Sequence, residues 1–387
     1  MKILHVNTND NGGAAIAAIR LHYALLETGI DSKILFLRRS GTSTIREAYY
    51  FEDMFTSVSG FKLLLKLNAA YNRRYTFYKP DVYFNGPDSL FDISRHELFR
   101  WADIVHLHWV VKFLDWEKVF SQKKKFVWTL HDMNPMTGGE HYKTGYNGEF
   151  SAVARRNILR KKHIINPADL TVIAPSQWIG RIAGNSEVFS GKKIITLRNP
   201  VSTDIFRVMS VEKRKVLEGI PREKKIILFV AENPDDKRKG FEWLMKALSG
   251  FENKDAYFLL VIGRKSVDIP RNIDALLLGS IHDETLMSQI YNAADVFVIP
   301  SLEDNLPNTV SEALLCGTPV AGMRTGGIAE MVTDQQNGFL TGEPARLGEA
   351  ILQCLDMHQS REFISAQARQ ELDPEKLLPA FIKVYTS

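Results

Sequence analysis

Short apolar, β-branched runs alternate along this chain with segments of helical periodicity, and they do so in two successive series. The first series is Ile3 to Val6, Lys33 to Leu37, Ile104 to Trp109, Phe126 to Leu130 and Leu170 to Ala174. The second is Ile226 to Ala231, Tyr257 to Ile262, Ala275 to Leu278, Val296 to Ile299 and Pro319 to Gly322. Strands that alternate with helices pair in parallel, under helices on both faces, so the pattern predicts an α/β chain built from doubly wound sheets. Two series predict two Rossmann-like domains. A length of 387 residues agrees, because it exceeds what one core supports. The boundary falls near Asn199 to Val208, where the strand-like run Ile194 to Leu197 gives way to a polar turn containing Pro200. Ligands of such sheets sit at the C-terminal strand ends, so a cleft between the domains is the expected site.

The segment from Gly41 to Arg100 fits the alternation poorly. Its basic-aromatic stretch runs from Phe61-Lys62-Leu63-Leu64-Leu65-Lys66-Leu67 to Tyr71-Asn72-Arg73-Arg74-Tyr75 and on to residue 79. One reading is an amphipathic helix that touches an anionic membrane or a lipid-linked substrate. The other is a helix that buries its leucines and leaves Lys and Arg in water.

Composition narrows the classes. A charged fraction of 24% and a net charge of +4 permit contact with phosphates or an anionic surface, yet they form no nucleic-acid signature. No nucleic-acid partner is expected. The two cysteines, Cys316 and Cys354, are too few for a disulfide framework or a cysteine metal site, and both read as packing residues in a reducing cytoplasm. The four-residue run Ile3 to Val6 is too short for a signal-peptide core, and no apolar run approaches a bilayer span. A cytoplasmic location follows, with peripheral contact at the inner face of the plasma membrane left open.

The segment Pro300-Ser301-Leu302-Glu303-Asp304-Asn305-Leu306-Pro307-Asn308-Thr309-Val310-Ser311-Glu312-Ala313-Leu314-Leu315-Cys316-Gly317-Thr318-Pro319-Val320 carries the chemistry. It reads as a strand end, a polar loop, and a helix that opens near Asn308 and stops at Gly317. Backbone N–H groups at that helix start would suit a diphosphate. Asp304 and Glu312 bracket the loop, and carboxylates accept hydrogen bonds from sugar hydroxyls well. Glu312 could instead serve only as a partner of the helix dipole. Both Glu312 and Lys239 read as cleft-facing side chains outside the core.

These residues resemble the group 1 glycosyltransferases of the GT-B fold. The family signature is an acidic residue, seven intervening residues and a Glu, then a small-residue helix and Gly-x-Pro-Val, with Asp304 and Glu312 in the acidic places. The likeness runs back through Leu278-Gly279-Ser280-Ile281, Tyr291 to Val296 and Arg238-Lys239-Gly240-Phe241, and forward into Gly326-Gly327-Ile328 and Asn337 to Leu340. In the first half it is weaker: Gly12-Gly13-Ala14-Ala15, Ala102 to Trp109 and Trp128 to Met133 look like the subfamily that builds bacterial surface polysaccharides, whether exopolysaccharide, O-antigen or capsule. Gly12-Gly13 alone is a turn signal without the full G-x-G-x-x-G fingerprint, which counts against a nicotinamide enzyme.

The resemblance implies a division into 1–200, an acceptor-binding domain, and 201–370, a nucleotide-sugar-binding domain, with 371–387 a helix crossing back to the first. It implies His131, Lys239 and Asp304 as catalytic residues, with Lys239 set against the donor diphosphate. Ser280 and Ile281 would lie beside the base and Glu312 on the ribose. Asp304 and the backbone of Asn305, Leu306, Pro307, Asn308 and Thr309 would hold the sugar, and Gly12 and Gly13 would approach the ligand. His131 could also be an ordinary structural histidine and Lys239 a solvated loop lysine. Asp132 could orient His131 or cap a turn. His106 and His108 alternate within a strand and read as structural.

Two departures stand out. Many relatives carry an arginine where this chain has Glu232-Asn233-Pro234, so Arg238 is the candidate substitute. Close relatives often have cysteine where Glu140 stands. The implied reaction is transfer of a sugar from a nucleoside diphosphate donor, UDP- or GDP-linked by first preference, to a glycan or lipid-linked acceptor with retention of configuration. No cofactor and no metal are expected, because neither an Asp-x-Asp pair nor a His/Cys ligand cluster is evident. Rival readings are a nucleotide-sugar 2-epimerase and a catalytically weak sugar-nucleotide-binding protein.

Overall fold

The computed structural model describes residues 1–40, 44–73, 78–79, 82–146, 148, 151–210, 219–221, 223–264 and 267–387. The chain divides into two units. The first is Met1–Pro200 together with Leu377–Ser387, and the second is Val201–Lys376.

In the first unit, β1 (Lys2–Asn7), β2 (Asp31–Phe36), β3 (Ala48–Tyr50), β6 (Ile104–Leu107), β7 (Lys125–Thr129), β8 (Asp169–Ala174) and β9 (Lys193–Thr196) form a seven-stranded sheet of order β3-β2-β1-β6-β7-β8-β9. Every pairing in it is parallel. A short antiparallel pair, β4 (Tyr78–Lys79) with β5 (Val82–Tyr83), lies outside it. Central strands such as β6, with all four residues buried, are covered on both faces, which is why they read as apolar runs without alternation. Ile3, Leu21, Leu25, Val127 and Ile173 pack with Leu378, Phe381, Val384 and Tyr385 of the helix Pro374–Thr386. That helix thereby closes one face of the first sheet.

The second unit holds β10 (Lys225–Val230), β11 (Tyr257–Ile262), β12 (Ala275–Leu277), β13 (Val296–Ile299), β14 (Val320–Met323) and β15 (Gly338–Thr341) in the order β12-β11-β10-β13-β14-β15, again all parallel. Separate apolar clusters cover its two faces. Both sheets are therefore Rossmann-like, as the two series predict. The strands β3 and β15 escape the periodicity, because β3 has three residues and β15 opens on glycine.

The helix Val58–Asn72 turns Phe61, Asn68 and Asn72 inward. Leu64 and Leu65 pack partly against the core, but Leu63 and Leu67 are 57% and 51% exposed. Asn68 takes the inward place a leucine would fill: it donates to the Lys112 carbonyl at 2.9 Å and accepts from the Leu90 amide at 2.7 Å. Arg74 and Tyr75 lie outside the described residues.

Candidate active site

The loops after β10 and β13 meet in the second unit. After β10, Lys237–Lys239 makes one 3₁₀ turn, started by Asp236, whose carboxylate accepts from the Arg238 amide, and ended by Gly240 at φ 72°. A Cβ at residue 240 would lie 2.0 Å from the Pro300 carbonyl oxygen, so only glycine lets the two loops approach. Gly326 is equally constrained, since a Cβ there would lie 1.9 Å from the Asp304 carbonyl oxygen. The backbone is thus pinched around Asp304 from both sides.

Asp304 is 6% exposed. Its Oδ2 meets the Lys239 ammonium at 2.6 Å and the Arg238 guanidinium at 3.6 Å, while Oδ1 accepts from the Asn305 amide at 3.1 Å. Burial pushes this carboxyl up, but Lys239, Arg238 and the hydrogen bonds outweigh it and hold it below the ordinary aspartate value. Arg238 also donates to the Glu303 carbonyl at 2.8 Å and pairs with Asp236 at 3.3 Å. Its guanidinium therefore braces the loop from within.

The helix Asn308–Leu315 begins after Pro307 with no side chain capping its start. Pro307, Asn308 and Thr309 are half-buried, Asn305 is buried, and the Leu306 side chain belongs to the core. Glu312 corrects the sequence reading of a cleft-facing residue: it is 6% exposed, and the fully buried Tyr291 donates its hydroxyl to Oε2 at 2.8 Å. The cause is that the helix is buried on every side from Val310 to Leu315, so no face of it leaves Glu312 in water. Tyr291 was missed as a functional partner, although it stands in the Tyr291-Asn292-Ala293-Ala294 segment. Ser280 is exposed and Ile281 half-buried, just beyond Gly279 at φ 70°.

The remaining candidates belong to the first unit. Gly12, at φ 84°, opens the helix Gly13–Glu27 after β1, and His131 follows β7 at the same edge of the sheet. With His108, Trp109 and Asp132, His131 lines a small pocket. Burial lowers its pKa to about 4, against an upward pull from Asp132. Asp132 caps the turn through the Asn134 amide, at 2.9 Å, and also accepts from Trp109 Nε1 and His141 Nδ1. Lys161, wholly buried, donates to the carbonyls of Asn134 and Thr137 beneath this loop, and burial lowers it to about 7. Glu140 keeps one buried carboxylate oxygen without a hydrogen-bond partner among the described residues.

His106 and His108 read from the sequence as alternate residues of one strand, with at most one face toward a cleft. Residues two apart on a strand share a face, and these two rings stack at 4.4 Å. His5, in register with His106 across β1 and β6, joins them. The ligand atoms of His5, His106 and His108 lie within 4.8 Å of one another, a spacing open to a metal ion. Burial holds His106 down at about 3 and His5 and His108 well below the ordinary value.

Residues 224–357, which contain Lys239, Asp304, Tyr291 and Glu312, match the family described as Glycosyl transferases group 1. This part of the second unit is similar to the group 1 glycosyltransferases. The chain is also 23% identical over 283 residues to D-inositol 3-phosphate glycosyltransferase 2 of Catenulispora acidiphila, covering 67% of this chain and 64% of that protein. It is 27% identical over 230 residues to the sulfoquinovosyl transferase SQD2 of Arabidopsis thaliana, covering 56% and 43%. The chain thus spans less than two thirds of either relative. Among solved structures, Anabaena Alr3699/HepE in complex with UDP-glucose superposes with a TM-score of 0.69 at 16% identity, covering 100% of this chain and 99% of that one. Sucrose-phosphate synthase from Thermosynechococcus elongatus gives 0.69 at 17%, covering 100% and 98%. Such likenesses show a fold of the GT-B type. Among the described residues, no helix is long and apolar enough to cross a membrane.

Proposed function

We propose that this chain transfers a sugar from a nucleoside diphosphate donor to a glycan or lipid-linked acceptor, with retention of configuration, in the assembly of a surface polysaccharide. The observation that carries the reading is the convergence, within the segment that matches the group 1 family, of Lys239, Asp304 and the uncapped start of the helix Asn308–Leu315. A diphosphate gains negative charge as the glycosidic bond breaks. An ammonium at 2.6 Å from a fixed carboxylate is positioned before the charge develops, and preorganised charge lowers the barrier without reorganisation during the step. Glu312, held by Tyr291, would take the ribose hydroxyls, and Ser280 with Ile281 would flank the base. Asp304 and the backbone from Asn305 to Thr309 would hold the sugar. Arg238 would support the phosphate site indirectly, by bracing the Glu303 carbonyl.

In the same proposal residues 1–200 bind the acceptor, with Gly12, Gly13 and His131 among the contacts, and residues 201–370 bind the donor. UDP- and GDP-sugars are the first choices of donor; the UDP-glucose complex of a protein of this fold supports the former. The departing phosphate takes the acceptor proton, so no metal or cofactor is assigned a role. The helix Val58–Asn72 suits contact with an anionic membrane at the cytoplasmic face: it exposes Leu63, Leu67, Lys62 and Lys66 and contains no acidic residue. A thermal-shift screen of UDP-, GDP- and ADP-sugars tests the donor. One class should raise the melting temperature, corresponding to about 2.7 kcal/mol at a hundred times its dissociation constant, and no shift with any donor would oppose the reading.

A further inference from the structure

The buried imidazoles of the first unit form a directed chain. His5 Nδ1 and His108 Nε2 share a hydrogen bond of 3.0 Å, and His108 Nδ1 and His131 Nε2 share one of 3.1 Å. His106 stands beside them with both nitrogens engaged, Nδ1 by the Tyr385 hydroxyl and Nε2 by Thr129 Oγ1, each at 2.8 Å. His5 is 0% and His108 3% exposed, and burial keeps both neutral. A neutral imidazole has one N–H and one lone pair. His108 is bonded at both nitrogens, so it must accept on one side and donate on the other, and all three rings share one direction.

That direction is decided at the far end. His5 Nε2 is buried and lacks a hydrogen-bond partner among the described residues. If the protons ran from His131 toward His5, this nitrogen would carry an orphaned N–H. If they run toward His131, it carries only an unused lone pair. Orphaned buried donors are the rarer and costlier case.

We infer that His108 is a positioning residue, which donates from Nδ1 to His131 Nε2 and so fixes His131 as its Nδ1–H tautomer. His131 then carries its proton on Nδ1 and does not serve as a general base through Nε2. This rests on the proposal that His131 is a site residue and states how it acts there. A metal bound by His5, His106 and His108 would have to displace these hydrogen bonds, which sets it apart from the tautomer chain in experiment.

The test is a long-range proton–nitrogen correlation spectrum of the full chain, with ¹⁵N-labelled histidine, at pH 7. The expected wild-type spectrum has His131 protonated at Nδ1 and bare at Nε2. His108→Leu should move His131 toward the Nε2–H form, and His108→Gln, whose amide can donate, should restore Nδ1–H. An Nε2–H tautomer in the wild type, or one equivalent of zinc retained by the rings, would overturn the inference. The wild-type spectrum decides even where His108→Leu fails to fold. In a transfer assay, His108→Leu should lower kcat roughly ten- to a hundredfold with donor KM near wild type, and His108→Gln should recover it. If His131→Ala keeps full turnover, the site role of His131 falls, whatever the tautomer.

Discussion

Replacing Lys239 by methionine removes the closer of two cations from a buried carboxylate. Breaking a buried ion pair on one side costs about 3–5 kcal/mol when nothing else compensates. Here Arg238 remains at 3.6 Å against 2.6 Å for Lys239, and attraction falls inversely with distance, so it keeps roughly 0.7 of the per-charge effect. Lys239 is also 23% exposed, which screens part of its contribution. The expected loss is therefore about 2 kcal/mol, below the unmitigated range. Asp304→Asn should cost about 1–2 kcal/mol, because both cations retain some access to water. Asp304→Asn placed on Lys239→Met should cost less than on the wild type, with a coupling of about 1–2 kcal/mol.

The assay must report on the second unit. Five of the six tryptophans lie in the first, leaving only Trp243 in the second, so intrinsic fluorescence would follow the wrong transition. Amide hydrogen exchange of peptides covering β13 (Val296–Ile299) and the helix Asn308–Leu315, read against urea, is the suitable probe. The pH dependence follows from the depressed Asp304 pKa. Its contribution is complete above the unfolded aspartate value of 3.8 and is lost as pH falls through the lower folded value. The coupling should vanish there as well. Additivity at pH 7 within about 0.5 kcal/mol would refute the ion-pair account.

Tyr291→Phe removes the donor to buried Glu312 and should cost about 1–3 kcal/mol in the second unit, with weaker donor binding measured by calorimetry. His106, held at about 3, titrates near the ordinary histidine value of 6.5 when unfolded, so the unfolded chain binds the extra proton between those values. Stability of the first unit should be complete above pH 6.5 and fall by about 1.4 kcal/mol per unit below it for this residue, as tryptophan fluorescence in urea would show. His5 and His108 act in the same direction. Glycosyl transfer should survive EDTA, and complete loss reversed by Mn²⁺ would contradict the metal-free mechanism.

The parallel sheets were legible because strands such as Ile226 to Phe229 are buried on both faces and read as continuous apolar runs. Asp304 and Lys239 were singled out by the family resemblance, and the structure brings their side chains to 2.6 Å. What stayed hidden depended on partners distant in sequence. Tyr291 meets Glu312 across 21 residues, His5 meets His108 across 103, and Tyr385 meets His106 across 279. Polar His5 and His106 inside buried strands were the local signs of the last two. Glu312 was misplaced because a carboxylate near a helix start reads as exposed until its buried hydroxyl partner is known.

The most direct measurement is release of nucleoside diphosphate from the donor that stabilises the chain, with the sugar product identified, in wild type and Lys239→Met. Acceptor-dependent release by the wild type is expected, with a new glycosidic bond of retained configuration and a fall in kcat of roughly 10²–10³ in Lys239→Met against a smaller change in donor affinity. Conversion of the donor to an epimer without any acceptor, or unchanged turnover by Lys239→Met with its folded state intact, would contradict it.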